Sequence, residues 1–136
     1  MKEALLTIVT KQHEQDEDIT FTTRTECKET SEGIALAYEE NLSDEDVVNT
    51  KLLIGDDSVM VERIGESGGD MFFKKTTTYE TKYNALGAIS LDMKIFTVNL
   101  DISKDEKGIS ADIDYQLFVG GTNVGKMGMN IKVEYI

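Results

Sequence analysis

The most constraining feature of this sequence is a strict alternation of apolar and polar residues between positions 109 and 119. The odd-numbered positions carry Ile, Ala, Ile, Tyr, Leu and Val, and the even-numbered positions carry Ser, Asp, Asp, Gln and Phe. Side chains of a β-strand point alternately to its two faces, whereas those of a helix return to one face about every 3.6 residues. The segment therefore predicts a strand with one buried face and one largely hydrated face.

The same alternation recurs along most of the chain, and clusters of Gly, Asp, Asn and Ser separate the runs. Nine strands are predicted, at residues 3–12, 19–28, 34–40, 47–54, 59–64, 71–75, 88–103, 109–119 and 127–135. Residues 120–123 supply the turn of a hairpin. No long helical stripe is present, and short connections favour antiparallel neighbours in a sandwich or a barrel.

The chain contains no proline, which is a common device for protecting exposed sheet edges, and its absence favours a closed sheet. A length of 136 residues suits one domain, which buries about 68% of the unfolded chain's surface. We therefore expect an all-β fold, with residues 1–136 forming a single antiparallel up-and-down β-barrel of about eight to nine strands.

The alternation slips once, within residues 88–103. Its apolar residues are odd-numbered at first and even-numbered afterwards: Ile89, Leu91, Met93, Ile95, then Phe96, Val98, Leu100 and Ile102. A regular strand cannot bury both sets on one face. We predict a β-bulge near Ile95 and Phe96, because bulges restore the phase and help barrels to curve.

Cysteine content and hydropathy bear on location. Cys27 is the only cysteine, so the chain forms no internal disulfide, which is typical of a reducing compartment. Residues 1–9 include Glu3 and too short an apolar run for a secretion signal, and no segment approaches the roughly 18 apolar residues of a transmembrane helix. We expect a cytoplasmic protein with no membrane partner.

The charge balance argues against nucleic acid as a partner. The chain has 14 Lys and Arg against 26 Asp and Glu, which gives a net charge of −12. Such a charge repels phosphate backbones and anionic lipid surfaces. The acidic residues are interpreted as the hydrated outer faces of strands.

Metal-binding and nucleophilic residues are few. Zinc sites and activated nucleophiles require clusters of His and Cys, and this chain has only His13 and Cys27. The acidic runs 44–46 and 56–57 lack the spaced oxygen ligands of a calcium loop and are interpreted as polar turns. We predict no metal and no cofactor.

One polar pair stands out by its parity. Glu40 shares a predicted face with Leu36 and Tyr38, and Arg63 shares one with Val61. In an up-and-down barrel both charges lie at the same end, two strands or about 10 Å apart. They form either a polar patch at the barrel mouth that holds the head of a ligand, or a rim ion pair, or two separately hydrated strand ends.

Several short patterns occur together in order along the chain: Tyr38-Glu39-Glu40, Arg63-Ile64-Gly65, Met71 with Phe73, Tyr79 with Thr81, and Asp114-Tyr115-Gln116-Leu117. Taken together they resemble the YwiB-like bacterial family of uncharacterised calycin-type proteins. The resemblance spans nearly the whole chain. It implies a lipocalin-like antiparallel barrel and a cytoplasmic bacterial protein, and it implies no known chemistry.

The predicted inner face is bulky, which favours a largely filled barrel. Its members are Phe21, Leu36, Tyr38, Val61, Met71, Phe73, Tyr115, Leu117, Met129 and Ile131. For a ligand, the candidate binding residues are Tyr38, Glu40, Arg63, Met71, Phe73, Tyr79 and Tyr115.

Three functions are compatible with this pattern. The first is a non-enzymatic binding module for a small apolar ligand. The second is a structural or interaction barrel with a filled interior that self-associates as a homodimer, with Phe118 as the key residue because its parity points away from the apolar face. The third is an enzyme that uses Glu40 and Tyr38 as its acid–base groups.

Overall fold

The computed structural model describes residues 2–12, 18–43, 46–64, 70–85 and 89–136, and within these ranges it describes side chains except at 40–43, 46–47, 64, 83–85 and 89. Ten strands form one sheet in these ranges. They are β1 (Lys2–Gln12), β2 (Ile19–Thr30), β3 (Gly33–Ser43), β4 (Asp46–Ile54), β5 (Ser58–Ile64), β6 (Met71–Lys74), β7 (Thr78–Ala85), β8 (Ile89–Asp105), β9 (Gly108–Val119) and β10 (Thr122–Tyr135).

Strand order explains how the sheet becomes a barrel. The order is β6-β5-β4-β3-β2-β1-β10-β9-β8-β7, with every neighbouring pair antiparallel. The two end strands then approach each other. The Thr76 N–H donates to the Thr97 carbonyl at 2.9 Å, and the Thr97 N–H donates to the Thr77 carbonyl at 3.1 Å. These bonds anchor the turn between β6 and β7 to β8, and contacts of β6 with β7 and β8 bring the two ends of the sheet together into a nearly closed barrel.

The predicted antiparallel up-and-down barrel is therefore confirmed, with ten strands where eight to nine were expected. The additional strand is β7, which the hydropathy pattern missed. Its sequence, TYETKYNA, carries polar residues on both faces. An edge strand with so little apolar alternation gives no period-2 signal.

The interior is packed with large apolar side chains. Seven of the ten predicted inner residues are buried, and the other three, Phe21, Leu117 and Met129, pack on the core while half-buried. Full burial of each large side chain contributes about 1.5 to 3 kcal/mol. The predicted inner face is confirmed.

The β-bulge of β8 lies two residues later than predicted. The register of β8 with β9 shifts between Thr97 and Asn99, so Val98 is the inserted residue and is 52% exposed. Thr97 continues the inner face after Ile95 and is fully buried, whereas Phe96 points outward. The predicted bulge is therefore present, and its position differs by two residues because hydropathy does not mark Thr97 as an inner residue.

β2 and β3 separate from each other along most of their length. They pair at only four described positions, from Cys27 with Leu36 to Thr30 with Gly33. Beyond these, β2 stays paired with β1 as far as Ile19, and β3 stays paired with β4 as far as Ser43. The wall of the barrel therefore has a gap between residues 19–26 and residues 37–43.

Candidate functional site

Tyr38 and Arg63 lie in one row across three strands. The register pairs Tyr38 of β3 with Thr50 of β4, and Thr50 with Arg63 of β5. Residues directly opposite in an antiparallel sheet project to the same face, and here that face is the interior. Tyr38 is 8% exposed, Thr50 is 1% exposed, and the Nε atom of Arg63 is buried. The row thus brings two of the predicted ligand-site residues, Tyr38 and Arg63, to one interior face.

Tyr115 of β9 faces this row from the opposite wall. Burial raises the pKa of the Tyr115 hydroxyl from 10.0 to about 12, and the positive charge of Arg63 opposes that rise. By register the Arg63 side chain projects to the same interior face as Thr50, and its Nε atom is buried. At neutral pH the Tyr115 hydroxyl is therefore neutral and available as a hydrogen-bond donor.

Aromatic contacts join the cluster of Tyr38, Arg63 and Tyr115 to the rest of the interior. The Phe73 and Tyr115 rings have centroids 4.9 Å apart, and the Phe21 and Tyr38 rings have centroids 5.5 Å apart. The second contact spans the gap between β2 and β3. Met71, two residues before Phe73 and on the same face of β6, is also buried.

Two buried threonines were missed by the sequence interpretation. Among the described residues, no hydrogen-bond partner is found for the hydroxyls of Thr50 and Thr97. Thr97 pairs with Tyr115, as Thr50 pairs with Tyr38 and Arg63. A buried hydroxyl without a partner costs about 1 to 3 kcal/mol. The sequence indicated their burial only through their position, because each threonine occupies an inner position between apolar residues of its strand.

Apolar side chains near the cluster remain partly open to solvent. They belong to β1, β2, β9 and β10, they share the inner face, and they are half-buried: Ile8, Phe21, Leu117, Met127 and Met129. Met127 pairs directly with Tyr115. An inner surface that is polar at Arg63 and apolar beside it is suited to a molecule of mixed polarity.

The structure does not bring every predicted residue to this cluster. The Tyr79 ring contacts the Phe72 ring, with centroids 5.8 Å apart, so Tyr79 contributes to the seam where β6 and β7 meet. The backbone of Glu40 pairs with Val48, one inner position beyond the Tyr38 row. The Glu40 side chain and His13 lie outside the described parts of the structure, so the acid–base role of Glu40 stays a prediction.

Three concave surfaces lie away from the cluster. They have volumes of about 530, 590 and 780 Å³, and charged side chains alternate there with apolar and small polar ones. None of these three is lined by Tyr38, Arg63 or Tyr115, and the third includes Arg24, Thr25 and Ala37 of β2 and β3. We place the candidate site in the interior because buried polar groups converge there.

The part of the chain that the structure describes contains neither a metal-binding cluster nor a membrane-spanning helix. There, no group of three or more His, Cys, Asp or Glu is arranged to hold a metal ion. Within the same ranges, no helix has the length and apolar character needed to cross a membrane. Cys27 is a free, buried thiol on the inner face.

Comparison with known proteins gives the relationships of the chain. The family described as Domain of unknown function (DUF1934) matches residues 5–131. The crystal structure of the ywiB protein from Bacillus subtilis is similar in fold, with a TM-score of 0.79 and 21% sequence identity over 98% of this chain and 90% of that chain. No match was found among curated proteins. The YwiB-like resemblance drawn from the residues is confirmed.

Proposed function

The chain belongs to the family of the Domain of unknown function (DUF1934), and we propose that it is a non-enzymatic binding module for a small, mostly apolar ligand with a polar head. The observation that carries this proposal is the convergence of Tyr38, Arg63 and Tyr115 inside a barrel whose adjoining inner surface is apolar.

The polar head of the ligand binds at the Tyr38–Thr50–Arg63 row. Thr50 and Thr97 offer buried hydroxyls that make no hydrogen bond within the described residues, and Tyr115 offers a neutral phenol. Stable proteins rarely keep such groups in the interior unless something compensates their desolvation. A ligand head that accepts hydrogen bonds from them supplies that compensation.

The apolar body of the ligand lies against the half-buried inner side chains. Met127 and Met129 have flexible thioether side chains that adapt to the shape of a partner. Phe21 and Ile8 complete this surface on β2 and β1. Covering these side chains removes further apolar area from water, which favours binding by about 25 cal/mol per Å².

Thermal-shift measurements against a panel of lipids and metabolites, combined with native mass spectrometry, test the proposal. A ligand present at 100 times its dissociation constant raises the free energy of unfolding by about 2.7 kcal/mol. We expect stabilisation by molecules with an apolar body and a polar head. Absence of any stabilisation or bound mass across the panel contradicts the proposal.

Two matched variants separate the interior site from general charge effects. Arg63→Met removes the interior cation and is expected to abolish the stabilisation. Lys74→Met removes an exposed cation from the outer face of β6 and is expected to leave it unchanged. Equal loss in both variants would show that the ligand does not use Arg63.

A second candidate function is self-association through the outer face of β8. Phe96 is 37% exposed, its neighbour Val98 is exposed, and Phe118 lies diagonally opposite on β9 beside Lys94. The outward position predicted for Phe118 agrees with this register. Exposed apolar neighbours of this kind favour an interface between chains.

Light scattering at low and high salt tests this second candidate, because salt screens the repulsion between chains of charge −12. Self-association through β8 predicts a dimer that Phe96→Ser removes. Ile19→Ser, which changes an exposed isoleucine on β2, serves as the control. A monomer at every salt concentration argues against this function.

A further inference from the structure

The gap between β2 and β3 opens beside the candidate site. If the β2–β3 ladder continued beyond Cys27 and Leu36, it would place Thr25 opposite Tyr38 and Arg24 opposite Glu39. Instead, the described pairing stops, and the Thr25 hydroxyl donates to the Ala37 carbonyl at 2.7 Å. One side-chain hydrogen bond thus replaces the start of a backbone ladder.

Two aromatic rings stand on the inner side of this gap. Phe21 projects from β2 and Tyr38 from β3, and their rings are in contact at 5.5 Å. Phe21 is half-buried, and Ile19, at the end of the same inner row, is exposed. The inner apolar surface is therefore reachable from the gap, and the ring pair lies between the gap and the next residues of the row, Thr50 and Arg63.

The positions of the two arginines indicate the charge of the molecule that uses this route. Arg24 and Arg63 are the only arginines in the sequence, against 26 acidic residues. Arg24 is exposed on β2 at the edge of the gap, and Arg63 projects into the interior beside Thr50 with its Nε atom buried. Guanidinium groups bind carboxylate and phosphate oxygens more specifically than lysine does.

From these observations we infer that the gap between β2 and β3 is the entrance of the binding site, that Phe21 and Tyr38 form its gate, and that the ligand is an amphipathic organic anion whose charged head binds Arg63. This inference rests on the proposed function, since it specifies the ligand class and the route to the same site. The ligand passes Arg24, displaces the Phe21–Tyr38 contact, and places its apolar body along the inner faces of β1 and β10.

A reversible cross-link across the gap tests the route. Arg24→Cys with Glu39→Cys, made in a Cys27→Ala background, places two thiols on the outer face where the extended ladder would oppose them. The probe is 8-anilinonaphthalene-1-sulfonate, a fluorescent amphipathic anion. Oxidation is expected to slow its association and dissociation by about tenfold, equivalent to about 1.4 kcal/mol of added barrier, and reduction is expected to restore both rates.

A second cross-link serves as the matched control. Lys28→Cys with Ala35→Cys joins a pair that is already opposed in the β2–β3 ladder, so it tethers the same strands without closing the gap. Its oxidation is expected to leave both rates unchanged. Equal rates for the oxidised and reduced forms of the gap variant would overturn the route.

A steric variant covers the case in which the gap disulfide does not form. Thr23→Trp fills the inner side of the gap, whereas Thr22→Trp adds the same ring to the exposed outer side. Slower probe binding in Thr23→Trp alone supports the entrance, and equal rates in the two variants refute it.

The dependence on Arg63 distinguishes failure of the route from failure of the site. If the reduced protein binds the probe and Arg63→Met abolishes binding, but closing the gap has no effect, the site stands and the entrance lies elsewhere. If binding is absent or indifferent to Arg63→Met, the proposed function itself fails. If a neutral analogue of the probe binds equally well through Arg63-independent contacts, the ligand is not selected as an anion.

Discussion

The rings of Phe73 and Tyr115 meet across the barrel interior, with centroids 4.9 Å apart and planes inclined at 58°. Phe73 belongs to β6 and Tyr115 to β9, and these strands are not neighbours in the sheet. The two walls therefore touch through side chains at this level. Phe21 and Met129 pack against the same core while remaining half-buried.

Replacing Phe73 by alanine is expected to lower the free energy of unfolding by about 3 to 5 kcal/mol, because it leaves a cavity at a fully buried site. Chemical denaturation measures the loss. Phe72→Ala is the matched control on the opposite face of β6, where the ring is half-buried and the loss is expected to be smaller. Equal losses would contradict the assignment of the two faces.

Replacing Tyr115 by phenylalanine is expected to change the response to alkaline pH. The folded-state pKa is about 12 and the ordinary value is 10.0, so the neutral phenol is favoured in the folded protein. Its contribution is fully present below pH 10 and is lost as pH rises towards 12, a change of about 2.7 kcal/mol.

Urea unfolding of both proteins across this pH range measures the effect. As pH rises, the free energy of unfolding of the Tyr115→Phe variant is expected to increase relative to that of the wild type by about 2.7 kcal/mol. The other titrating groups are common to both proteins and cancel in the difference. Parallel pH profiles for the two proteins would show that the hydroxyl is not buried.

Replacing Thr50 by valine is expected to stabilise the unliganded protein by about 1 kcal/mol or more, because it removes a buried hydroxyl that makes no hydrogen bond within the described residues. The same change is expected to weaken ligand binding. Thr25→Val is the control, since its hydroxyl bonds to the Ala37 carbonyl, and there we expect a loss of stability. Free energies of unfolding of the wild type, Thr50→Val and Thr25→Val show whether each substitution stabilises or destabilises the protein.

Deleting Val98 is expected to turn the bulge into a regular ladder. Val98 is the inserted residue, and its removal leaves Asn99 next to Thr97, so Leu100 and Ile102 keep their inward phase. We expect the deletion variant to retain a cooperative thermal transition, and Val98→Thr to change stability by less than about 0.5 kcal/mol. Loss of the cooperative transition in the deletion variant would contradict the assignment of Val98 as the inserted residue.

Much of the site was accessible from the sequence through parity. Tyr38 and Arg63 occupy inner positions of strands whose alternation is clear, so their meeting in one row followed from strand order. Thr50, which joins them, was not found because threonine is common on both faces of strands. The position of Tyr79 could not be read from the sequence, because β7 carries polar residues on both faces and gives no apolar phase; the structure pairs it with Ile95 and places its ring against Phe72.

The sequence by itself determined which residues alternate, where most strands turn, and which faces are buried, because the two-residue period of a strand is a local property of the backbone. Tertiary structure decided the position of the bulge at Val98, the anchoring of the β6–β7 turn to Thr97, the gap between β2 and β3, and the contact of Phe73 with Tyr115. These features depend on how the sheet closes, which brings together residues far apart in the chain. Hydropathy carries no information about the burial of Thr50 and Thr97 or about where the β2–β3 pairing ends, so only the folded barrel shows these features.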